Sequence, residues 1–297
     1  MTTRSVLLWN THVWCKDLER EFEKFLELDH PGSPEVWLVL DSGIPEVKTL
    51  VGKYEHCYVV KECEIFERLP YPRLERPGLF YHAHFILLDF YLAHPEYEYY
   101  WFVEYDVRYT GKWSSFLRSF EYFDHDLIAS HIRHFSEEPG WYWWDTLHHP
   151  TKVIDRNRYL RSFNVLFRIS NRALEFIHQE QMDGWRGFIE VSIPTLLYHG
   201  GYRIMDFGGD GNFTLPGLKN KAYTSHGLRN GLLNPFCTMR WQPSRARAGI
   251  RRNKLYHPVK PGSMMEPLRE RILFFARWTR KYIGEKLQTK PGDDYGF

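Results

Sequence analysis

Short apolar runs alternate with amphipathic segments along this chain. A chain patterned that way closes most readily into a mostly parallel sheet with helices on both faces. Residues 5–9, 35–40 (EVWLVL) and 57–60 read as strands. Residues 16–28 place Leu18, Phe22, Phe25 and Leu26 on one face and read as a helix, which the HPGSP segment then breaks. Pro77 and Gly78 precede a helix over 79–92 with Phe85, Leu88 and Leu92 aligned. A strand over 99–103, a helix over 113–123 and strands over 126–130 and 164–169 follow. Next come helices over 171–179 and 190–198, the latter with Pro194 as a kink or a start, and a strand over 202–207. Residues 208–253 are rich in Gly, Asn and Arg and read as loop, and residues 267–287 read as a long amphipathic helix. The expected class is α/β: a mixed, mostly parallel sheet flanked by helices, with a C-terminal helical extension.

In sheets of this kind ligands gather beyond the carboxyl ends of the strands, so the residues just after each strand matter most. The sharpest signal is Trp101-Phe102-Val103-Glu104-Tyr105-Asp106. A run of large apolar side chains ends in two acids spaced i, i+2, which a strand sends to the same side. Two convergent carboxylates suit a hard divalent cation such as Mg²⁺ or Mn²⁺, which completes its shell with water and ligand phosphates. The bland alternative is a pair of solvated acids at a strand end.

Composition narrows the partners. Of 297 residues, 39 are basic and 37 acidic, a balance that gives no electrostatic case for nucleic acid. Aromatic residues reach 17%; a core rich in large rings accounts for most of them, and a minority are expected to meet flat or ring-shaped ligands. Cys15, Cys57, Cys63 and Cys237 form no paired motif, which favours a reducing compartment. The polar N-terminus does not read as a signal peptide, and no apolar run reaches the ~20 residues of a membrane span. The expectation is a cytoplasmic protein. Its C-terminal helix carries Arg269, Arg271, Arg277, Arg280, Lys281 and Lys286. Those cations either rest on an anionic membrane surface, making the protein peripheral to the membrane, or form the solvated face of a packed helix.

The acidic motif resembles the D-x-D motif of GT-A glycosyltransferases, here as an E-x-D variant, Glu104-Tyr105-Asp106. Those enzymes have a Rossmann-like fold, with a nucleotide-binding half before an acceptor half. The resemblance implies a glycosyltransferase domain over 1–262, divided near residue 125, followed by a helix and tail over 263–297. It makes Asp106 the most direct metal ligand. Downstream, Leu255-Tyr256-His257-Pro258-Val259-Lys260-Pro261 is similar to the H-x-G-x-x-K-P segment of glycogenin-like and lipopolysaccharide-type members, although it lacks the Gly and is shorter. The likeness implies that His257 completes the metal site and Lys260 meets the diphosphate. His226 is a rival ligand, and an exposed HPxKP turn is the alternative. The family also implies an acid at a helix start in the acceptor half as catalytic base. Glu190, in GWRGFIEVSIPTLL, fits that place, unless it only caps the helix. Asp183 is the other candidate.

Further assignments are looser. Asp41 follows the second strand, where related enzymes contact the nucleobase or ribose, and a capping turn would use it equally well. Arg73 and Arg76 lie in a loop that a nucleotide phosphate or base could pass. His82 and His84 are i, i+2 in a helical segment and so diverge. Trp143, Trp144 and Trp185 are candidate acceptor contacts, with core packing as the alternative. The implied reaction is transfer of a sugar from a nucleotide-diphosphate donor, by analogy a UDP-sugar, to a glycan or glycolipid acceptor. By the same analogy it proceeds with inversion and serves polysaccharide assembly. A metal-dependent phosphohydrolase and a non-catalytic carbohydrate- or nucleotide-binding module are the rivals.

Overall fold

A computed structural model of the protein describes residues 4–76, 78–225 and 237–261. The chain begins with β1 (Ser5–Thr11), α1 (Lys16–Leu26), β2 (Glu35–Asp41), α2 (Val47–Lys53), β3 (Cys57–Val60) and α3 (Glu62–Arg68). A 3₁₀ turn over Leu79–His82 leads into α4 (Ala83–Ala93), β4 (Tyr99–Glu104), β5 (Arg108–Tyr109), α5 (Trp113–Arg118) and β6 (Leu127–His134). After a further 3₁₀ turn over Tyr142–Thr146 come β7 (Leu160–Ser170), α6 (Asn171–Asp183), α7 (Ile189–His199), β8 (Ile204–Asp206) and β9 (Leu255–Tyr256).

Seven strands form one sheet in the order β3-β2-β1-β4-β7-β6-β8. Neighbours are parallel from β3 to β4, β7 runs antiparallel to both β4 and β6, and β8 is again parallel to β6. Six strands therefore point one way. Their carboxyl ends share one edge with the amino end of β7. The α/β class and the mostly parallel sheet are as the alternation indicates. The reversed β7 is not visible in the pattern, because strand periodicity carries no direction. β7 also starts at Leu160 rather than near 164, and the short helices α2 and α3 are additions to the sequence reading.

Successive side chains along a strand point to opposite faces, and both faces are covered. Val6, Leu8, Tyr100 and Phe102 pack with α3, α4, α6 and α7, whereas Leu7, Trp9, Trp101 and Val103 pack with α1, α2 and α5. A fully buried side chain of this size stabilises by about 1.5–3 kcal/mol. α4 is buried on nearly every side rather than on one face, and Leu92 is exposed. Its one acid, Asp89, is held by Arg68 at 2.7 and 2.8 Å and by the Tyr58 hydroxyl at 2.6 Å. A helix apolar all round belongs inside a protein, and its acid is tolerated there only when paired. No helix among the described residues is long and apolar enough to cross a membrane. The basic helix expected over 267–287 and His226 lie outside the described residues.

Candidate metal centre and its surroundings

β4 carries the chain to the shared edge through Trp101, Phe102 and Val103, all nearly inaccessible, and ends at Glu104. The Tyr105 N–H then donates to the Asn10 carbonyl at 2.9 Å, so the chain leaves the sheet beside the end of β1. Asp106 is buried, whereas about 32% of the Glu104 side chain remains exposed at the mouth.

His257 reaches these acids through a second, two-stranded sheet. β5 follows the acidic motif directly and pairs with β9, matching Arg108 with Tyr256 and Tyr109 with Leu255. The next residue after β9 is His257. The Val259 N–H donates to the Asp106 carbonyl at 2.8 Å and locks the register. His257 Nε2 then lies 3.2 Å from Asp106 Oδ1 and 3.9 Å from Glu104 Oε2. Its Nδ1 lies 2.7 Å from the Arg240 carbonyl oxygen. A carbonyl only accepts, so Nδ1 carries a proton, and Nε2 is the nitrogen turned to the carboxylates, the orientation of metal-binding histidines.

The three donors fit a divalent cation. Their ligand atoms all lie within 4.8 Å of one another. Octahedral coordination at 2.0–2.1 Å sets adjacent donors about 3 Å and opposed donors about 4 Å apart. Asp106 Oδ1 is moreover buried without a hydrogen-bond partner, a costly state that a cation would relieve. Partial burial pushes the Glu104 carboxyl upward and the charge of Asp106 adds to this, with His257 and Lys260 opposing. For Asp106 burial acts upward, but His257, Lys260 and Arg108 outweigh it and hold the carboxyl below its usual range. Burial alone would lower His257, yet the two carboxylates leave it raised.

Two cations and a second histidine border the cluster. Lys260 is exposed and its charge acts on Glu104, Asp106 and His12. His12 follows β1, stands edge-on to Tyr105 with centroids 5.0 Å apart, and is held low by desolvation and by Lys260. Sequence reasoning passed over His12, although the rule of inspecting residues after each strand points to it. Arg108 is buried, donates to the Tyr105 and Val107 carbonyls at 2.5 and 2.9 Å, and braces the turn that carries Asp106.

Glu190 lies in the first turn of α7 and is only 9% exposed. α7 is tied to the amino end of β7 through Thr195, whose hydroxyl accepts from the Leu160 N–H at 3.0 Å and lies 2.8 Å from the Leu160 carbonyl. Burial pushes the Glu190 carboxyl up to about 8; Arg161 opposes this, Glu104 reinforces it, and the Asn164 backbone and His257 oppose it. Glu190 is therefore within electrostatic reach of the metal-type cluster. Pro194 falls inside α7 rather than at its start, and having no N–H it cannot bond the Glu190 carbonyl. Arg161, which sequence reasoning missed, is fully buried at the amino end of β7. It pairs with Glu138 at 2.7 Å and lies over the Trp141 ring at 5.1 Å.

The remaining expectations are redistributed. Asp41 makes the capping turn, its Oδ1 accepting from the Gly43 N–H at 2.7 Å, while its charge still reaches His12. Asp183 pairs with Lys152 and with His149. His82 and His84 diverge: His82 Nε2 accepts from the Leu74 N–H at 3.0 Å, whereas His84 is buried beside Gln181. Arg73 lies over Phe66 at 4.8 Å, and Arg76 over Tyr81 and Trp143 at 5.4 and 5.2 Å. Trp143, Trp144 and Trp185 are not an open platform. All three are buried: Trp143 stacks on Phe188 at 4.2 Å, Trp144 donates to the Glu138 carbonyl at 2.8 Å, and Trp185 packs on His149 at 5.1 Å. Rings of that size are driven into the core unless something else covers them.

The family model described as a protein of unknown function (DUF3405) matches residues 61–127, a stretch that includes Glu104 and Asp106. No curated protein matches the chain. Among solved structures, the inositol-1-phosphate CTP transferase from T. maritima is similar at a TM-score of 0.40 and 11% identity, over 70% of this chain and 87% of that chain.

Proposed function

We propose that this protein is a metal-dependent glycosyltransferase that moves a sugar from a nucleotide-diphosphate donor, a UDP-sugar, to a glycan hydroxyl with inversion. The reading rests on one observation above all: Glu104, Asp106 and His257 converge at the carboxyl edge of the sheet with Glu190 in electrostatic reach. Among the described residues this is the one such group of acids and histidine. A three-donor site suits a cation shared with a diphosphate better than the two-metal arrangement of many phosphohydrolases.

Glu104, Asp106 and His257 would hold Mn²⁺ or Mg²⁺, which supplies Lewis-acid stabilisation of negative charge on a departing diphosphate. Lys260 adds a fixed positive charge on the same side. On the other side of β4, Glu190 accepts the proton of the acceptor hydroxyl as that oxygen bonds to the anomeric carbon and the bond to the diphosphate breaks. Burial gives Glu190 the raised proton affinity that this role requires near neutrality. Asp41 and His12, at the ends of β2 and β1, line the donor side.

The test is incubation with a panel of nucleotide sugars, Mn²⁺ and mixed oligosaccharides, following nucleoside diphosphate release and the anomeric proton coupling of the product. Release of UDP with an inverted product is expected. Release of pyrophosphate, or a product with the donor's anomeric configuration, overturns the assignment.

A further inference from the structure

Buried tryptophans leave open which aromatic groups meet the acceptor, and the exposed ones give an answer. Among the described residues the exposed large aromatics are Phe80, Tyr142, Trp241 and Tyr122. Tyr122 sits alone in the turn after α5, but the other three join one rim. Trp241 contacts Phe80 at 5.8 Å, Phe80 contacts Tyr81 at 5.0 Å, Tyr81 contacts Trp143 at 5.8 Å, and Trp143 contacts Tyr142 at 4.4 Å. Two separate 3₁₀ turns and the segment carrying Trp241 supply these rings, so their meeting is a tertiary feature rather than a local run. Tyr142 is 63% exposed, Phe80 55% and Trp241 42%, an apolar area that water disfavours without a ligand to cover it.

The rim's position ties it to the chemistry. At one end Trp241 follows Arg240, whose carbonyl orients His257. At the other, Tyr142 feels the charges of Arg76 and Glu190, and Trp143 beneath it stacks on Phe188 at the N-cap of α7. The rim thus lies on the β7 and α7 side, while Asp41 and His12 mark the β2 and β1 side. Arg76 lies over Tyr81 and Trp143 and has no ion pair among the described residues. Its guanidinium is free to meet an anion beside the rings.

We infer that Phe80, Tyr142 and Trp241 form the acceptor platform, and that with Arg76 they select a saccharide bearing an anionic group. Sugar rings present apolar C–H faces to aromatic rings, and Arg matches carboxylate or sulfate oxygens with paired donors. A uronate and a sulfate ester offer the same recognition chemistry, and the experiment separates them. The inference rests on the transferase reading above.

The full-length chain, with Mn²⁺ and UDP present, is applied to an array of oligosaccharides printed in matched neutral, uronate and sulfated forms. UDP affinity is measured separately by calorimetry. Retention of acidic members over their neutral partners is expected, and whichever acidic form is held identifies the anion. Tyr142→Ala and Trp241→Ala should each weaken retention about tenfold, with UDP affinity and melting temperature unchanged. Arg76→Gln should erase the preference for acid, and Arg76→Lys should restore part of it. Equal retention of neutral and acidic forms, no retention at all, or unchanged retention by the Tyr142 and Trp241 variants overturns the inference. So does loss of UDP binding in those variants, which would make the rim a nucleobase site. Failure of the native chain to bind UDP would instead overturn the parent reading.

Discussion

Asp106 and Glu190 are both buried carboxyls, and what surrounds each sets what it can do. Asp106 has His257, Lys260 and Arg108 about it and is kept ionised. Glu190 is desolvated by burial, with the charge of Glu104 adding to this against Arg161, and is pushed up to about 8 against an ordinary 4.5. That difference matches a metal ligand on one side and a proton acceptor on the other. It also sets opposite signs for activity and stability at Glu190. A carboxyl raised in the folded state stabilises that state fully below about pH 4.5, and the contribution is lost as pH rises through about 8. Glutamine carries no such penalty. Glu190→Gln should therefore lower kcat by about 10²–10⁴ while leaving donor affinity in place. The same variant should unfold with more free energy than the native chain by an excess that grows between pH 6 and 8.5, reaching on the order of a few kcal/mol. Native kcat/KM should rise with pH up to about 8 and then level. Equal melting of the two proteins at pH 8.5, read by calorimetry at both pH values, would mean that Glu190 is not desolvated as described.

At the scale of elements, β5 and β9 decide whether a metal site exists. They are two residues long each, yet they carry Asp106 and His257 to within 3.2 Å. The pair is braced by Thr110, whose hydroxyl lies 2.6 Å from the Arg251 carbonyl and accepts from the Lys254 N–H at 3.0 Å. Thr110→Val keeps the shape and removes both bonds, so it should cost about 1 kcal/mol of stability. Because the lost contacts sit just before β9, Mn²⁺-dependent UDP affinity should also fall several-fold, although Thr110 touches none of the three candidate donors. A Mn²⁺ titration that leaves UDP affinity unaltered would show that β9 is held by other means. The same elements explain what could be read beforehand. β1, β2 and β4 are apolar runs buried on both faces, and such runs announce themselves in the sequence. The acids at the end of β4 follow from that position, and His257 was found through a motif rather than a period. α2 and α3, seven residues each, are too short to show one. The burial of Trp143, Trp144 and Trp185 was open because a ring beside Gly and Pro fits a loop or a core equally well. The exposed rim leaves no mark in the sequence, because Phe80, Tyr142 and Trp241 come from segments far apart along the chain.

Across the whole molecule the sheet separates two kinds of chemistry about β4. On one side the ends of β1 and β2 bring His12 and Asp41 toward Lys260, and on the other α7 and the turn over Tyr142–Thr146 bring Glu190 and the aromatic rim. Between them stand two carboxylates whose mutual repulsion the folded chain tolerates only through His257, Lys260 and Arg108. Anything that binds this centre in the folded state and not in the unfolded one stabilises the entire domain through mass action. Mn²⁺ alone should give a small rise in melting temperature, because it relieves the repulsion and satisfies Asp106 Oδ1. UDP alone should give almost none, since a diphosphate beside two carboxylates meets like charge. Together, at a hundred times the dissociation constant, they should add about 2.7 kcal/mol, which in a domain of this size is a rise of roughly 4–5 °C. EDTA should abolish the combined shift, and Asp106→Asn should show neither shift while melting close to the native protein without ligands. The measurement is a thermal unfolding series with each ligand alone and both together. A UDP-induced shift that survives EDTA would mean that the nucleotide binds without the cluster of Glu104, Asp106 and His257, and that those three donors serve some other purpose in the fold.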